Sequence, residues 1–263
     1  MRRRTFLAIP VFAAAARPRR GPLLVQGALD VELGPLLDAL APPARGREHR
    51  IAAWSFWRGR IGRHDVVVCR TGVGPINAAA STTLAIREFR PWAVINQGTA
   101  GGHNRALRLW DIVLGERTTD FSAFEAPHGD AGAGVDTRAW KPKPHVLRTP
   151  QGEPRTYPGF PGDPALLAAA EKIRNPRGRV LRGNIGSAFQ YNRQLDHIDW
   201  LHRAYGTDTE DMESAFAHGA AVAFGVPFLA IRMVSDTEWD HPHFERIAGR
   251  YCAEFVVELI RAL

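Results

Sequence analysis

Glu32, Glu213 and Asp236 each carry a carboxyl group and each lie next to a predominantly apolar segment of the sequence. A carboxylic acid whose pKa is raised toward neutrality can donate a proton at a reacting centre, and an ionised carboxylate can activate or orient water. Taken singly, each has a structural alternative, because acidic residues are also favoured at helix starts and as N-caps. The three residues are therefore candidates for acid–base chemistry, and their meaning depends on where the fold brings them.

The elements that would position these carboxylates alternate between strand and helix along the chain. Apolar runs of strand length and apolar residues at helical spacing predict the two types. Strands are predicted over 22–26, 51–57, 65–69, 93–96, 111–114, 180–185 and 227–233. Helices are predicted over 31–40, 75–88, 164–173, 192–204, 216–224 and 244–263. The alternation predicts an α/β fold, with one domain over 22–263 and a mixed, largely parallel central β-sheet flanked by helices.

Three local predictions accompany this fold. The second and third strands are expected to form a hairpin around a turn at 58–63. Residues 121–163, rich in glycine, proline and charge, are expected to form a long excursion with short strands. The core-facing side of the helix over 75–88 is expected to consist of Ile76, Ala80 and Leu84.

Four polar segments fall close to the ends of predicted strands, and they contain the three carboxylates. In open α/β sheets, ligands bind beyond the carboxyl ends of the strands. The four segments are 27–32, 96–102, 211–214 and 232–238. We expect them to converge at one cleft.

Five segments follow one another in a recognisable order. They read Gly-Ala-Leu-Asp-Val-Glu at 27–32, Thr-Gly-Val-Gly-Pro-Ile-Asn-Ala-Ala at 71–79, Asn-Gln-Gly-Thr-Ala-Gly-Gly at 96–102, Asp-Met-Glu-Ser at 211–214 and Arg-Met-Val-Ser-Asp at 232–236. Together they resemble the signature segments of methylthioadenosine/S-adenosylhomocysteine nucleosidases, within the purine nucleoside phosphorylase superfamily. The resemblance spans residues 22 to 263. It implies a nucleoside phosphorylase-like fold and cleavage of the N-glycosidic bond of a purine nucleoside.

The resemblance also implies a role for each polar residue. Asp236 matches the acid that protonates the leaving purine at N7, Glu32 matches the residue that orients water, and Glu213 matches the acceptor for the ribose hydroxyls. The same resemblance places further side chains in the nucleoside pocket, namely Met212 against the ribose, with Thr99 and Ser235 in the wall. Either Phe189 or Tyr191 would cover the purine, and the residues leave that choice open. Arg232, a basic residue with no other role, is grouped with the substrate-binding residues.

Water is favoured over phosphate as the attacking group because the first loop carries Asp30 and Glu32 and no arginine. The alternatives are a phosphate-dependent purine nucleoside phosphorylase and a non-catalytic nucleoside-binding or storage relative. Leu29, Thr99 and Asp211 depart from the usual nucleosidase residues, which leaves the 5′ substituent of the substrate open.

No nucleic acid, cofactor or metal is expected as a partner. Of the 34 basic residues, 28 remain against 27 acidic ones once the arginines of the first twenty positions are set aside, so no basic face is indicated. Gly72 and Gly74 lack the third glycine of a dinucleotide fingerprint, and the acidic and histidine residues of 240–245 lack a second ligand set. The expected partners are a small-molecule purine nucleoside and, since members of the family usually pair, a second copy of the chain in a homodimer.

Residues 1–21 are predicted to be a twin-arginine signal segment. Arg3-Arg4-Thr5-Phe6-Leu7 resembles the twin-arginine motif, and an apolar stretch from Phe6 to Ala16 follows it. The predicted location is periplasmic or exported, with no stable membrane association after export. If the segment is only an N-terminal extension, the expected location is cytoplasmic.

Overall fold

The computed structural model describes residues 21–41 and 48–263. Fourteen strands occur in these residues: β1 (Leu23–Gly27), β2 (Glu48–Ile51), β3 (Trp54–Ile61), β4 (His64–Arg70), β5 (Ala93–Gly102), β6 (Ile112–Asp120), β7 (Phe124–Glu125), β8 (Lys141–Pro142), β9 (His145–Arg148), β10 (Pro154–Tyr157), β11 (Phe160–Pro161), β12 (Val180–Ser187), β13 (Thr209–Asp211) and β14 (Phe228–Asp236). Six α-helices occur in the same residues: α1 (Asp30–Ala39), α2 (Pro75–Phe89), α3 (Pro164–Ala170), α4 (Leu195–Tyr205), α5 (Ser214–Phe224) and α6 (Ile247–Ala262).

Ten of these strands form one mixed sheet, in which part of the sheet closes on itself. Strand β5 pairs with β1 and β14 in parallel and with β13 antiparallel. Strand β14 also pairs with β6, which continues through β12 back to β13. The strands β5, β14, β6, β12 and β13 therefore form a closed ring, and β1, β4, β3 and β2 extend from it as an open sheet. This architecture confirms the predicted α/β class with a mixed central sheet flanked by helices.

The core lies on both faces of the sheet. Leu23 and Val25 of β1 pack in one apolar cluster with residues of α1 and α6, whereas Leu24 packs in a second cluster with residues of α2 and α5. Successive side chains of a strand point to opposite faces, so a strand covered on both sides must be apolar throughout. The continuous apolar run at 23–25 is explained by this position between two helical layers.

Two local predictions are corrected by the packing. Ile76 is 82% exposed and Ala80 is only half-buried, whereas Leu84 packs against the core as predicted; the buried positions of α2 include Ala78, Thr82 and Ala85. The hairpin is present, but its turn is only Gly62-Arg63, because β3 continues to Ile61. The face predicted for α2 has helical spacing but is rotated away from the buried face, and the end of β3, which pairs on one side only, accepts arginine where a turn was expected.

The excursion over 121–163 contains the predicted short strands, in two small antiparallel pairs, β7 with β8 and β9 with β10. Strand β11 then returns to the main sheet against β6. The predicted signal segment lies outside the described residues, apart from Gly21. Within the described residues, no helix is both long enough and apolar enough to cross a membrane.

Candidate active site

A cavity of about 140 Å³ opens where the carboxyl ends of β1, β5, β13 and β14 meet. All four polar segments singled out in the sequence contribute to its wall. The lining residues are Ala28, Leu29, Glu32, Val73, Thr99, Ala100, Gly101, Gln190, Tyr191, Glu210, Asp211, Met212, Glu213, Ser235, Asp236 and Phe244. The closed part of the sheet thus gathers three carboxylates that lie up to 204 positions apart in the chain, between Glu32 and Asp236.

The Glu32 carboxylate is held in place by backbone N–H groups from the turn before α1 and from strand β5. Its Oε2 accepts hydrogen bonds from Ala28 N at 2.7 Å and Leu29 N at 2.9 Å, at the start of α1. Its Oε1 accepts from Thr99 N at 3.1 Å, at the end of β5. Burial raises the pKa of Glu32, while these N–H donors and the nearby Arg232 lower it. The result is a buried carboxylate fixed at the edge of the cavity.

Glycine at position 98 is required by the close approach of Glu32. A Cβ atom built on Gly98 would lie 2.5 Å from Glu32 Oε1, which is too close for any side chain. A Cβ on Gly249 of α6 would likewise lie 2.7 Å from Glu32 Cγ. Two glycines on different elements therefore leave the space in which the Glu32 side chain extends toward the cavity.

Glu213 lies at the start of α5, beside a buried cluster of charges. Its Oε1 accepts a hydrogen bond from Gly74 N at 2.8 Å, and its Oε2 lies 4.0 Å from Arg232 Nη2. Burial and the charge of Asp211 raise the pKa of Glu213 to about 8, against the opposing effects of Arg232 and the Gly74 N–H. Glu213 can therefore exchange a proton or accept hydrogen bonds close to neutral pH.

Arg232 lies behind the cavity wall instead of in it. Its Nη1 donates to Asn96 O at 3.0 Å and its Nη2 to Asn96 Oδ1 at 2.5 Å. Its Nε lies 2.7 Å from Asp211 Oδ2 but off the N–H axis, so this contact is an ion pair without hydrogen-bond alignment. The expectation that Arg232 contacts the substrate is therefore corrected. Its fully buried guanidinium neutralises Asp211 and, from outside the cavity, lowers the pKa of Glu213.

Asp236 ends β14 with its carboxyl group in the cavity wall. The Ser235 hydroxyl donates to Asp236 Oδ1 at 2.6 Å. Burial is the largest cause that raises the pKa of Asp236, and the charges of Glu210 and Glu238 add to it, while the Ser235 hydroxyl lowers it. Such a carboxyl group is suited to holding a proton until it is transferred to a bound base.

The aromatic side chains near the cavity differ in position. Tyr191 lines the cavity and is 52% exposed, whereas Phe189 is 71% exposed and packs over the backbone of Gly74. Phe244 also lines the cavity, although its place in the sequence indicated only an apolar helix face. The geometry therefore favours Tyr191 over Phe189 as the aromatic residue beside a bound ligand. Met212, Thr99 and Ser235 lie in the wall, where they were predicted.

Glu210 is the cavity residue that sequence reasoning missed. It lies in β13, a strand of three residues with the sequence Thr-Glu-Asp, all buried. A segment this short and polar carries no strand signal, so the acidic side chain could be read only as part of a solvated turn. The one available clue was its place directly before the Asp-Met-Glu-Ser segment.

Comparisons with known proteins agree with this architecture. The family model described as the phosphorylase superfamily matches residues 22–261. A 5′-methylthioadenosine/S-adenosylhomocysteine nucleosidase of Bacillus thuringiensis subsp. konkukian is 27% identical over 256 residues, which cover 92% of this chain and 99% of that protein. The structure of the nucleosidase of Neisseria meningitidis, in complex with methylthio-immucillin-A, is similar with a TM-score of 0.72 at 24% identity, covering 92% of this chain and 100% of that one. The S-adenosylhomocysteine nucleosidase of Streptococcus pyogenes gives 0.73 at 23% identity, with 95% and 99% covered.

Proposed function

The chain belongs to the phosphorylase superfamily, and from that premise we propose that it hydrolyses the N-glycosidic bond of a purine nucleoside and releases the base. The proposed substrates are methylthioadenosine, S-adenosylhomocysteine or a related adenosine, in keeping with the names of its relatives. One observation carries the proposal: Glu32, Glu213 and Asp236 surround one cavity whose lining, within the described residues, includes no lysine, arginine or histidine.

In this proposal Asp236 is the general acid. Cleavage of the bond between C1′ and the purine leaves positive charge on the ribose ring, and the electron pair of the bond goes to the base. A proton delivered to N7 lets the purine leave as a neutral molecule. The raised pKa of Asp236 supports this role, because the carboxyl group must be protonated when the nucleoside binds.

Glu32 orients the attacking water. Its two oxygens accept backbone N–H bonds, which fix the carboxylate while further lone pairs remain for a water molecule. Water that donates a hydrogen bond to Glu32 directs its own lone pair toward C1′ and passes that proton to the Glu32 carboxylate as the new C–O bond forms. Two carboxyl groups on opposite sides of the scissile bond divide the work as in glycoside hydrolysis.

Glu213 binds the ribose in this proposal, and Met212 packs against it. Glu213 Oε1 is already bonded to Gly74 N, so the ribose hydroxyls would donate to Oε2. When Glu213 is ionised, its negative charge beside the ring also favours the positive charge that develops on the ribose in the transition state.

Water is favoured over phosphate by the charge of the cavity. Arg232 is committed to Asp211, Glu213 and Asn96 and lies behind the wall, so it is not available to a phosphate dianion. The lining contains five carboxyl side chains, those of Glu32, Glu210, Asp211, Glu213 and Asp236, and no cationic side chain among the described residues, so it offers no positive charge to a phosphate dianion and leaves water unaffected. The presence of Glu32, Glu213 and Asp236 together in the wall weighs against a non-catalytic binding protein.

The experiment is product analysis by chromatography, with methylthioadenosine, S-adenosylhomocysteine and adenosine as substrates, in the presence and absence of phosphate. We expect adenine and the free sugar at equal rates in both conditions. Strict dependence on phosphate, with a sugar 1-phosphate as product, would instead establish a phosphorylase. No cleavage of any nucleoside, despite binding, would establish a non-catalytic relative.

We further propose that the chain forms a homodimer whose interface borders the cavity. Val73 and Phe244 line the cavity and are more than a third exposed, and Ile76 projects from the start of α2 close to Val73. Exposed apolar side chains gathered at a cavity mouth are typical of a covered surface. Light scattering after size exclusion should give a dimer for the wild type and a monomer for Ile76→Glu. Val135→Glu, at an equally exposed position in the excursion, is the matched control and should remain dimeric.

Export through the twin-arginine route is proposed for residues 1–21. It rests on the Arg3-Arg4 motif and the apolar stretch that follows it. Cell fractionation should find the wild type in the periplasm and the Arg3→Lys/Arg4→Lys variant in the cytoplasm. The control, Arg19→Lys/Arg20→Lys, should be exported, and cytoplasmic wild-type protein would contradict the proposal.

A further inference from the structure

Glu210 and Asp236 flank one glycine in the sheet. Strand β13 pairs with β5 so that Glu210 stands opposite Gly101, and β14 pairs with the other edge of β5 so that Asp236 also stands opposite Gly101. A Cβ atom built on Gly101 would lie 3.1 Å from Asp236 Oδ2 and 3.5 Å from Glu210 Cγ. The glycine therefore leaves no side chain between the two carboxyl groups.

The Glu210 carboxylate is bound on both oxygens by other parts of the protein. Its Oε1 accepts from Asn192 N at 2.9 Å, and its Oε2 accepts from Asn192 Nδ2 at 2.5 Å. Oε2 also lies 3.0 Å from Nε2 of the buried His103, whose Nδ1 lies 2.8 Å from Thr207 Oγ1. A carboxylate in such contacts keeps a fixed position.

Two consequences follow from this position. Asn192 comes directly after Tyr191, so Glu210 ties the segment that carries the aromatic residue of the cavity to the sheet. Among the charges that raise the pKa of Asp236, that of Glu210 comes first, after the effect of burial itself. A like charge beside a carboxyl group favours its protonated form.

We propose that Glu210 is a positioning residue that keeps Asp236 in its acid form and anchors the Tyr191 segment over the base. This inference rests on the proposed role of Asp236 as general acid. In this proposal Glu210, whose oxygens already contact Asn192 and His103, is not one of the groups that contact the substrate. It acts through Asp236 and Tyr191, which do contact the substrate in this proposal.

The test is the pH profile of kcat/KM for Glu210→Gln, with methylthioadenosine as substrate. Because the acid must be protonated, activity falls as pH rises through the pKa of Asp236. Removal of the neighbouring charge should move this fall to lower pH by about 0.5–1 unit, and so lower the activity above it by about three- to tenfold. Glu210→Asp, which keeps the charge, should restore the position of the fall.

Asn192→Ala is the matched control for the second role. It removes the side-chain hydrogen bond to Glu210 and leaves the charge in place. We expect a higher KM with an unmoved pH profile. A pH profile of Glu210→Gln that coincides with that of the wild type would overturn the proposal. So would a change in preference between adenosine and inosine, since it would mean that Glu210 contacts the base.

A measurement that needs no activity separates this inference from the proposed function. The difference in melting temperature between Asp236→Asn and its parent depends on pH through the pKa of Asp236. The pH at which this difference levels off should be lower, and the full difference smaller, in a Glu210→Gln background than in the wild type, whether or not the protein hydrolyses a nucleoside. If Glu210→Gln does not fold, Glu210→Val also removes the charge and suits a strand. Equal pH dependence in both backgrounds would overturn the inference alone.

Discussion

At the scale of single residues, Asp236 combines three features of a general acid. It is buried, it faces other carboxylates, and its Oδ2 borders the cavity beside Gly101. Carboxyl groups in a polar cavity wall at the end of a strand would ordinarily be ionised. Here the surroundings favour a proton, which is what departure of a purine as a neutral base requires.

Asp236→Asn should therefore lower kcat/KM for methylthioadenosine by about 10²–10⁴-fold, the usual contribution of a positioned acid. The amide keeps the size of the side chain and can still bond to Ser235, so substrate affinity should change little. Steady-state kinetics and equilibrium binding of adenine measure the two effects. Asp240→Asn, at an exposed position four residues further on, is the control and should retain wild-type activity. Full activity in Asp236→Asn would contradict the assignment of the acid.

Arg232 is a buried cation, and its contribution to stability comes from the anionic groups that it contacts. Arg232→Met should lower the free energy of unfolding by about 3–5 kcal/mol, because Asp211 would be left buried without its counter-charge. Denaturant unfolding measures this change. Arg182→Met is the matched control, since Arg182 pairs with Glu171 at the surface, and its cost should stay below about 1 kcal/mol. Equal costs for the two variants would show that the buried pair contributes no more than a surface pair.

At the scale of elements, the end of β5 fixes the position of Glu32. The N–H of Thr99 binds the carboxylate, and the absence of a side chain at Gly98 admits it. The start of α1 and the end of β5 therefore meet at the Glu32 carboxylate. This close approach explains why Gly98 lies within the site and not in a turn.

Gly98→Ala should displace Glu32, because the added methyl group would overlap Oε1. We expect a loss of at least tenfold in kcat, through misplacement of the water, and a stability cost of about 1–3 kcal/mol from overpacking. Kinetics and thermal unfolding measure the two effects. Gly34→Ala in α1, where a Cβ meets nothing within 4 Å apart from its chain neighbours, should keep full activity. Wild-type kinetics for Gly98→Ala would contradict the account of this approach.

At the scale of the whole molecule, the cluster of buried carboxyl groups makes stability depend on pH. Burial and the charge of Asp211 raise the pKa of Glu213 to about 8, so the folded protein binds a proton that the unfolded chain releases from about pH 4.5 upward. Stability must then fall as pH rises through this window and level off above it.

Glu213→Gln removes this dependence. We expect the variant and the wild type to be equally stable near pH 4.5, and the variant to gain at least about 1 kcal/mol over the wild type by pH 8, while its activity is lost. Thermal unfolding across this pH range measures the difference. Glu258→Gln, at an exposed position in α6, is the control and should show no such trend. A constant difference between Glu213→Gln and the wild type at all pH values would contradict the raised pKa.

The sequence by itself determined the alternation of strands and helices, the position of the four polar segments and the identity of the three main carboxylates. Periodicity and residue type are local properties, and ligand sites at strand ends follow from the fold class. The interpretation of Glu32 as a carboxylate at a helix start is consistent with its hydrogen bonds to Ala28 and Leu29, which are also local.

Only the tertiary structure decided which of several equivalent side chains faces the cavity. It brought Tyr191 to the wall and left Phe189 outside, exposed Ile76, set Arg232 behind the wall, and brought Glu210 beside Asp236. Each of these outcomes depends on how elements distant in sequence pack against one another, and the position of Glu210 beside Asp236 depends on strand pairing in the closed part of the sheet. No periodicity within a single segment encodes the register between segments, so the neighbours of a side chain could be known only once the sheet was assembled.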